Sequence, residues 1–222
     1  MCEERGKLRL NKVLGAKLLA ESGHYFDPEV ADYIDSIILG GCNPRAQRLL
    51  TELDMIPVGD GPAYEDATFA SLKECLGEIV DQERARQHVY VEGSYCDFEL
   101  PWCWSRLYRH PYWVPLWEKC RIRSILGEVK NTSGPATTAD VGQLKQYLDA
   151  ARTGGFGLLI SRNGFSKNAR KLLRSHTLAS PQLLILPLEH SDLKILLEKS
   201  LQSARQVADY LCGKEIELLQ RA

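Results

Sequence analysis

The chain has 222 residues, of which 44% are hydrophobic and 26% charged, with a formal net charge of −1 at pH 7. Such a length and apolar content support one large domain, or a domain with an appendage, around a real core, and they exclude a disordered chain. The N-terminal stretch MCEERGKLRL lacks the uninterrupted apolar core of a secretory signal, and no apolar run is long enough to cross a bilayer, so the expected setting is cytoplasmic. Cysteines at 2, 42, 75, 96, 103, 120 and 212 form no CxxC pair, and the five histidines do not complete a zinc site. Reduced, mostly buried thiols are therefore expected.

In chain order, Lys7 to Ala20 places Leu8, Leu10, Val13, Leu14, Leu18 and Leu19 in a mostly helical pattern. Asp27 and Pro28 open a second helix that Gly40 and Gly41 stop, and Asn43 and Pro44 repeat the start signal for a third, PRAQRLLTELDM. These helices, over residues 1–60, read as an appendage for packing or dimerisation, or as a helix-turn-helix-like module whose third helix is basic only at Arg45 and Arg48. The turn-rich PVGDGP, Pro57 to Pro62, is the expected domain boundary.

A helix from about Tyr64 to Asp81 follows, with Phe69, Leu72, Leu76 and Ile79 or Val80 facing inward. His88 to Val91 and Tyr95 to Leu100, separated by Glu92, Gly93 and Ser94, read as a β-hairpin. Asp97 lies among strand formers in its second arm, on a solvent face or at a functional position. All four tryptophans then fall in Pro101 to Trp117 with Arg106, Arg109 and His110, where they either cover a core or stack on unpaired bases.

Ile122 to Leu126 suits a short half-buried strand that runs into Gly127 and Glu128 and is ended by the polar EVKN. Alternation of faces puts Glu128 and Lys130 on one side, about 7 Å apart at about 3.3 Å per residue. A carboxylate beside an ammonium can hold a hard cation and a water, although Glu-x-Lys alone is short enough to occur by chance. A Thr-, Ser-, Gly- and Pro-rich loop leads to a helix opening at Thr138 or Ala139, on which Gln143 and Tyr147 share a face. FGLLIS reads as a buried strand, and RNGFSKNARKLL as a turn and a basic helix able to sit on a phosphate. Gln182 to Pro187 supplies a fifth strand, and Asp192 caps a terminal helix or helix pair whose apolar stripe packs on the core or forms a dimer seam. From Arg84 to His176 there are 15 Lys and Arg against 7 Asp and Glu, an excess of about +8, so the middle of the chain is basic between acidic flanks.

EVKN, QLKQY and GLLISRNGFSKNA together resemble the PD-(D/E)xK nuclease superfamily, within it the Mrr-like, restriction-endonuclease-like group, over roughly Tyr64 to Pro187. The resemblance implies an α/β fold, a restriction-endonuclease-like core of a mixed sheet flanked by helices over residues 61–190, with a helical N-terminal appendage and a C-terminal helix over 191–222. It implies an aspartate on the preceding strand, which is Asp97, with Cys96 where the family usually has proline and Trp113 to Lys119 as the helix between the two strands. Glu65, on the first helix, is either a supporting acid or a first-turn glutamate favoured by the helix dipole, and Gln87 begins the hairpin.

The implied site has Asp97, Glu128 and the carbonyl of Val129 binding Mg²⁺ or Mn²⁺. Lys130 positions the attacking water, and Gln143 holds the lysine or a phosphate oxygen. Arg162, Asn131 and Lys167 are the expected substrate contacts. The expected function is a Mg-dependent endonuclease acting on nucleic acid, DNA favoured, with a second copy or a targeting protein as a further partner and no membrane. The alternative is a catalytically silent nucleic-acid-binding or assembly module that retains the fold; Cys96 and the acidic flanks favour it, and the presence together of Asp97, Glu128, Lys130 and Gln143 opposes it.

Overall fold

The structure is a computed structural model that describes residues 43–103, 112–151 and 153–220. The first two expected helices, residues 104–111 of the aromatic and cationic segment with Arg106, Arg109 and His110, and Cys2 and Cys42 lie outside the described residues. Among the described residues there are seven α-helices and one five-stranded sheet. In chain order they are α1 (Pro44–Met55), α2 (Gly61–Cys75), β1 (Arg86–Val91), β2 (Ser94–Pro101), α3 (Trp113–Cys120), β3 (Ser124–Lys130), α4 (Thr138–Ala151), β4 (Phe156–Ser161), α5 (Lys167–Ala179), β5 (Leu184–Glu189), α6 (His190–Ser200) and α7 (Ala204–Gln220). No helix among the described residues is long and apolar enough to cross a membrane.

The sheet runs β1-β2-β3-β4-β5, antiparallel through β3 and parallel from β3 to β5. Parallel neighbours need a crossover, and α4 and α5 supply the two that link β3 to β4 and β4 to β5. The fold is thus α/β, a mixed sheet flanked by helices and followed by a C-terminal helix, compatible with the expected core. Every residue of β4 is buried, as a strand covered on both faces should be.

The two faces of the sheet are covered by different helices. A Cβ added to Gly157 of β4 would meet Leu144 and Leu148, so α4 lies close on that face. Phe98 of β2 meets Phe69 of α2 at 6.2 Å between ring centroids. Phe98 also pairs directly with Gly127, whose missing side chain leaves the room its ring fills.

Several boundaries differ from expectation. β3 starts at Ser124 rather than Ile122, and the polar Glu128 to Lys130, expected to end the strand, belong to it, because the ladder to β4 holds them in register up to Lys130 opposite Ser161. α2 begins at Gly61, capped by the Asp60 side chain on the Ala63 amide, and stops at Cys75. The chain then leaves the helix so that Val80 can bridge Trp102 and the Asp81 amide can donate to Pro101, which keeps Leu76, Ile79 and Val80 buried outside a helix. The fifth strand is shifted to Leu184–Glu189, and the terminal segment is a helix pair. Glu189 is the N-cap of α6, and Asp192, expected as the cap, is the third helical residue that completes the capping box.

Candidate active site

β3 carries the centre of the site. Its central place in the sheet buries Glu128 to 2% exposure at the strand's C-terminal end, while Lys130 beyond it is half-buried. Lys130 Nζ donates to Glu128 Oε1 at 2.7 Å, a pair that the two-residue spacing anticipates. The other oxygen, Glu128 Oε2, is buried with no hydrogen-bond partner. A buried carboxylate oxygen left without a donor carries a desolvation penalty that a cation or a bound water would remove.

Asp97 joins this pair through the sheet. The β2–β3 ladder runs from Pro101 opposite Ser124 to Phe98 opposite Gly127. At its open end Asp97 Oδ2 accepts the Val129 amide at 2.6 Å. Because the N–H and C=O of one strand residue point to the same neighbour, the Val129 carbonyl faces the same gap between β2 and β3. Cys96, where the resemblance implies proline, donates its thiol hydrogen to the Gly127 carbonyl at 3.1 Å, and burial pushes it up to about 12, so it is an inert packing group.

The charges of the site act on one another. Burial, and then the negative charge of Asp97, push the Glu128 carboxyl up to about 7 against the pull of Lys130. Asp97 is raised by burial despite its bond from Val129, and Glu65 is raised by burial and by Asp97. Burial works to lower the Lys130 ammonium, but Glu128, Asp97 and Asp140 outweigh it and hold the group above its ordinary value. The result is a cluster of carboxylates short of positive charge around one fixed ammonium.

Among the described residues no three His, Cys, Asp or Glu side chains already stand together as a metal cluster. A donor set for a hard divalent cation would be mixed: the carboxylates of Asp97 and Glu128 with the main-chain oxygen of Val129, and Glu65, whose carboxyl feels the charge of Asp97. The unpartnered Glu128 Oε2 is the observation that favours this fit.

The remaining expected residues are placed as follows. Gln143 does not bond Lys130; its Nε2 donates to Tyr147 Oη at 2.6 Å, and Tyr147 Oη meets Ser94 Oγ at 2.9 Å, tying α4 to the β1–β2 turn. Asn131 is buried and donates to the carbonyls of Pro57 and Asp60, so it anchors the loop before α2 to the end of β3. Lys167 is exposed at the start of α5. Gln87 donates to Asp66 at 2.8 Å. Arg162 is brought to the site by its amide, which donates to the Lys130 carbonyl at 2.9 Å, and its guanidinium lies 5.2 Å over the Tyr64 ring with Nη1 buried and unpartnered.

Three neighbours escape sequence reasoning. Asp140, on the first turn of α4, lies 3.8 Å from Lys130 Nζ and also accepts the Thr137 amide. Its only sequence signal is that of a helix-start acid, which says nothing about a lysine ten residues earlier. His88 sits opposite Asp97 in the hairpin register, between the pairs Gln87–Phe98 and Val89–Cys96, with φ +50°, and its charge acts on both Asp97 and Glu65. Tyr64, fully buried and pushed up to about 12 by burial, carries Arg162 on its ring and bonds His190 Nδ1 at 3.2 Å. Compared with protein-family models, with curated proteins and with solved structures, the chain matches none.

Proposed function

We propose that this chain is a metal-dependent nuclease of the PD-(D/E)xK type, hydrolysing phosphodiester bonds of nucleic acid, DNA favoured. The observation that carries the reading is Glu128, a carboxylate buried at the end of a central strand with one oxygen on Lys130 and the other unpartnered beside Asp97. Asp97, Glu128 and the Val129 carbonyl would hold Mg²⁺ or Mn²⁺, with Glu65 as an outlying acid. Such an ion, when bound, supplies polarisation of the scissile phosphate and a lowered pKa for water.

The chain's own groups do the positioning. Lys130, fixed by Glu128 and Asp140, stays an ammonium at neutral pH, so it donates to the attacking water and offsets charge on the phosphate rather than removing a proton. Arg162, stacked on Tyr64, has a guanidinium edge with which to hold a phosphate oxygen. Gln143 acts at one remove, holding Tyr147 and through it the hairpin that carries Asp97.

The silent-module alternative draws on one observation: Asp97 already has a partner in the Val129 amide. Metal titration separates the two. Wild type and Lys130→Ala are titrated with Mg²⁺ and Mn²⁺ and then incubated with plasmid, single-stranded DNA and RNA. Metal-dependent cleavage by wild type, lost in the variant, is the expected result. Absence of metal binding overturns the catalytic reading.

A further inference from the structure

α5 carries Lys167, Lys171 and Arg174 at i, i+4 and i+7, so the three cations share one face of the helix over an axial length of about 10 Å. Among the described residues none of the three has a carboxylate at ion-pair distance, whereas Arg170 is held by Glu189, and Lys214 by Asp192 and Glu217. Arg174 Nε is buried with no hydrogen-bond partner. The cations border a groove of about 500 Å³ between α5, α7 and β5, where Leu178, Pro187 and Leu218 supply apolar surface. Leu178 is 61% exposed there. Lys167, the first groove cation in the chain, follows Arg162 by five residues, and the Arg162 amide is bonded to the Lys130 carbonyl of the site.

We propose that this groove holds a single strand of nucleic acid leading away from the Glu128–Lys130 site. The reading of that site as a nuclease supplies the reason for a strand to be there, and the groove's own chemistry selects its kind. A duplex presents phosphates outward and keeps its bases stacked and paired inside, so it would use the cations and leave the apolar surface idle. A single strand presents phosphates and unpaired base faces together; the cations take the former and the aliphatic surface covers the latter. An acidic peptide with apolar side chains offers similar chemistry, but it has no reason to follow the path from Lys130 through Arg162 onto α5.

The test is fluorescence anisotropy on the intact chain in EDTA, with a labelled single-stranded DNA of about twelve nucleotides and the same sequence as a duplex. Lys171→Ala and Leu178→Ser are compared with wild type; both positions are exposed, and circular dichroism checks their folding. The single strand should bind about tenfold more tightly than the duplex at equal salt. Lys171→Ala should weaken it severalfold and lower the salt slope by about 0.7, and Leu178→Ser should weaken the single strand while leaving the duplex unchanged. Equal binding of strand and duplex, unchanged binding by both variants, or displacement of the strand by poly-glutamate at equal charge concentration would overturn the proposal. Because binding is read without metal, a protein that cleaves nothing in Mg²⁺ or Mn²⁺ refutes the nuclease reading alone. A protein that cleaves single strands equally well with either groove variant refutes the groove alone.

Discussion

Glu128 carries a desolvation conflict, which a proton, a bound water or a cation would relieve. A carboxyl raised to about 7 when folded, against about 4.5 in the open chain, binds a proton more tightly in the folded state. Its contribution therefore favours folding at low pH, and that advantage is lost as pH rises from about 4.5 through about 7. The metal-free protein should accordingly lose stability across this window, by on the order of 1–3 kcal/mol from this group. Glu128→Gln should flatten that part of the profile, melt higher than wild type at pH 8 without metal, and, on the proposed nuclease reading, abolish cleavage. Thermal melts from pH 5 to pH 8, with and without Mg²⁺, check this; an unchanged slope in the variant would place the proton elsewhere. Gly127 makes a second case at the same scale. A Cβ there would lie 1.8 Å from Phe98 Cζ, so Gly127→Ala must push a buried ring off the sheet, at a cost of about 2–3 kcal/mol read by denaturant unfolding.

At the scale of elements, the β1–β2 hairpin is held to α4 by the chain Ser94, Tyr147, Gln143, which spans the sheet edge. Tyr147→Phe keeps the ring but removes both hydrogen bonds. It should cost about 1 kcal/mol and speed amide exchange in β1 and β2 more than in β4 and β5. The elements themselves are largely legible in the sequence, because apolar periodicity marks α1 and α4, a short apolar run marks β4, the Glu92–Ser94 turn marks the hairpin, and Asn43 announces its helix by capping. What the sequence hides is set by contact between distant segments. Gly127, Glu128 and Lys130 read as the polar end of a strand, yet pairing with β4 on one side and cover from Phe98 keep them within it. Likewise the Glu128 and Lys130 pair follows from spacing, but Asp140, His88 and Tyr64 reach the site only through tertiary packing, and no local pattern names them.

Across the whole molecule, α1 is part of the packed core. Ala46, Leu49 and Leu53 are buried, α1 packs on α2 and α6, and Asp54 is bonded by both His190 and Lys194. Leu53→Ala, at a fully buried position, should therefore destabilise the entire domain by about 2–4 kcal/mol in one cooperative unfolding transition. A separate early transition would show instead that α1 melts as an independent unit. The order of the strands has a further consequence, for how the chain is made. β3 lies in the middle of the sheet but is synthesised before β4, its neighbour on one side. Until Phe156–Ser161 has emerged, a growing chain exposes Ile125, Leu126 and Val129 beside a row of unpaired backbone groups, the kind of edge that recruits other chains. Fragments that stop short of Ser161 should collect as aggregates, and fragments that end after β4 but before β5 should do so less.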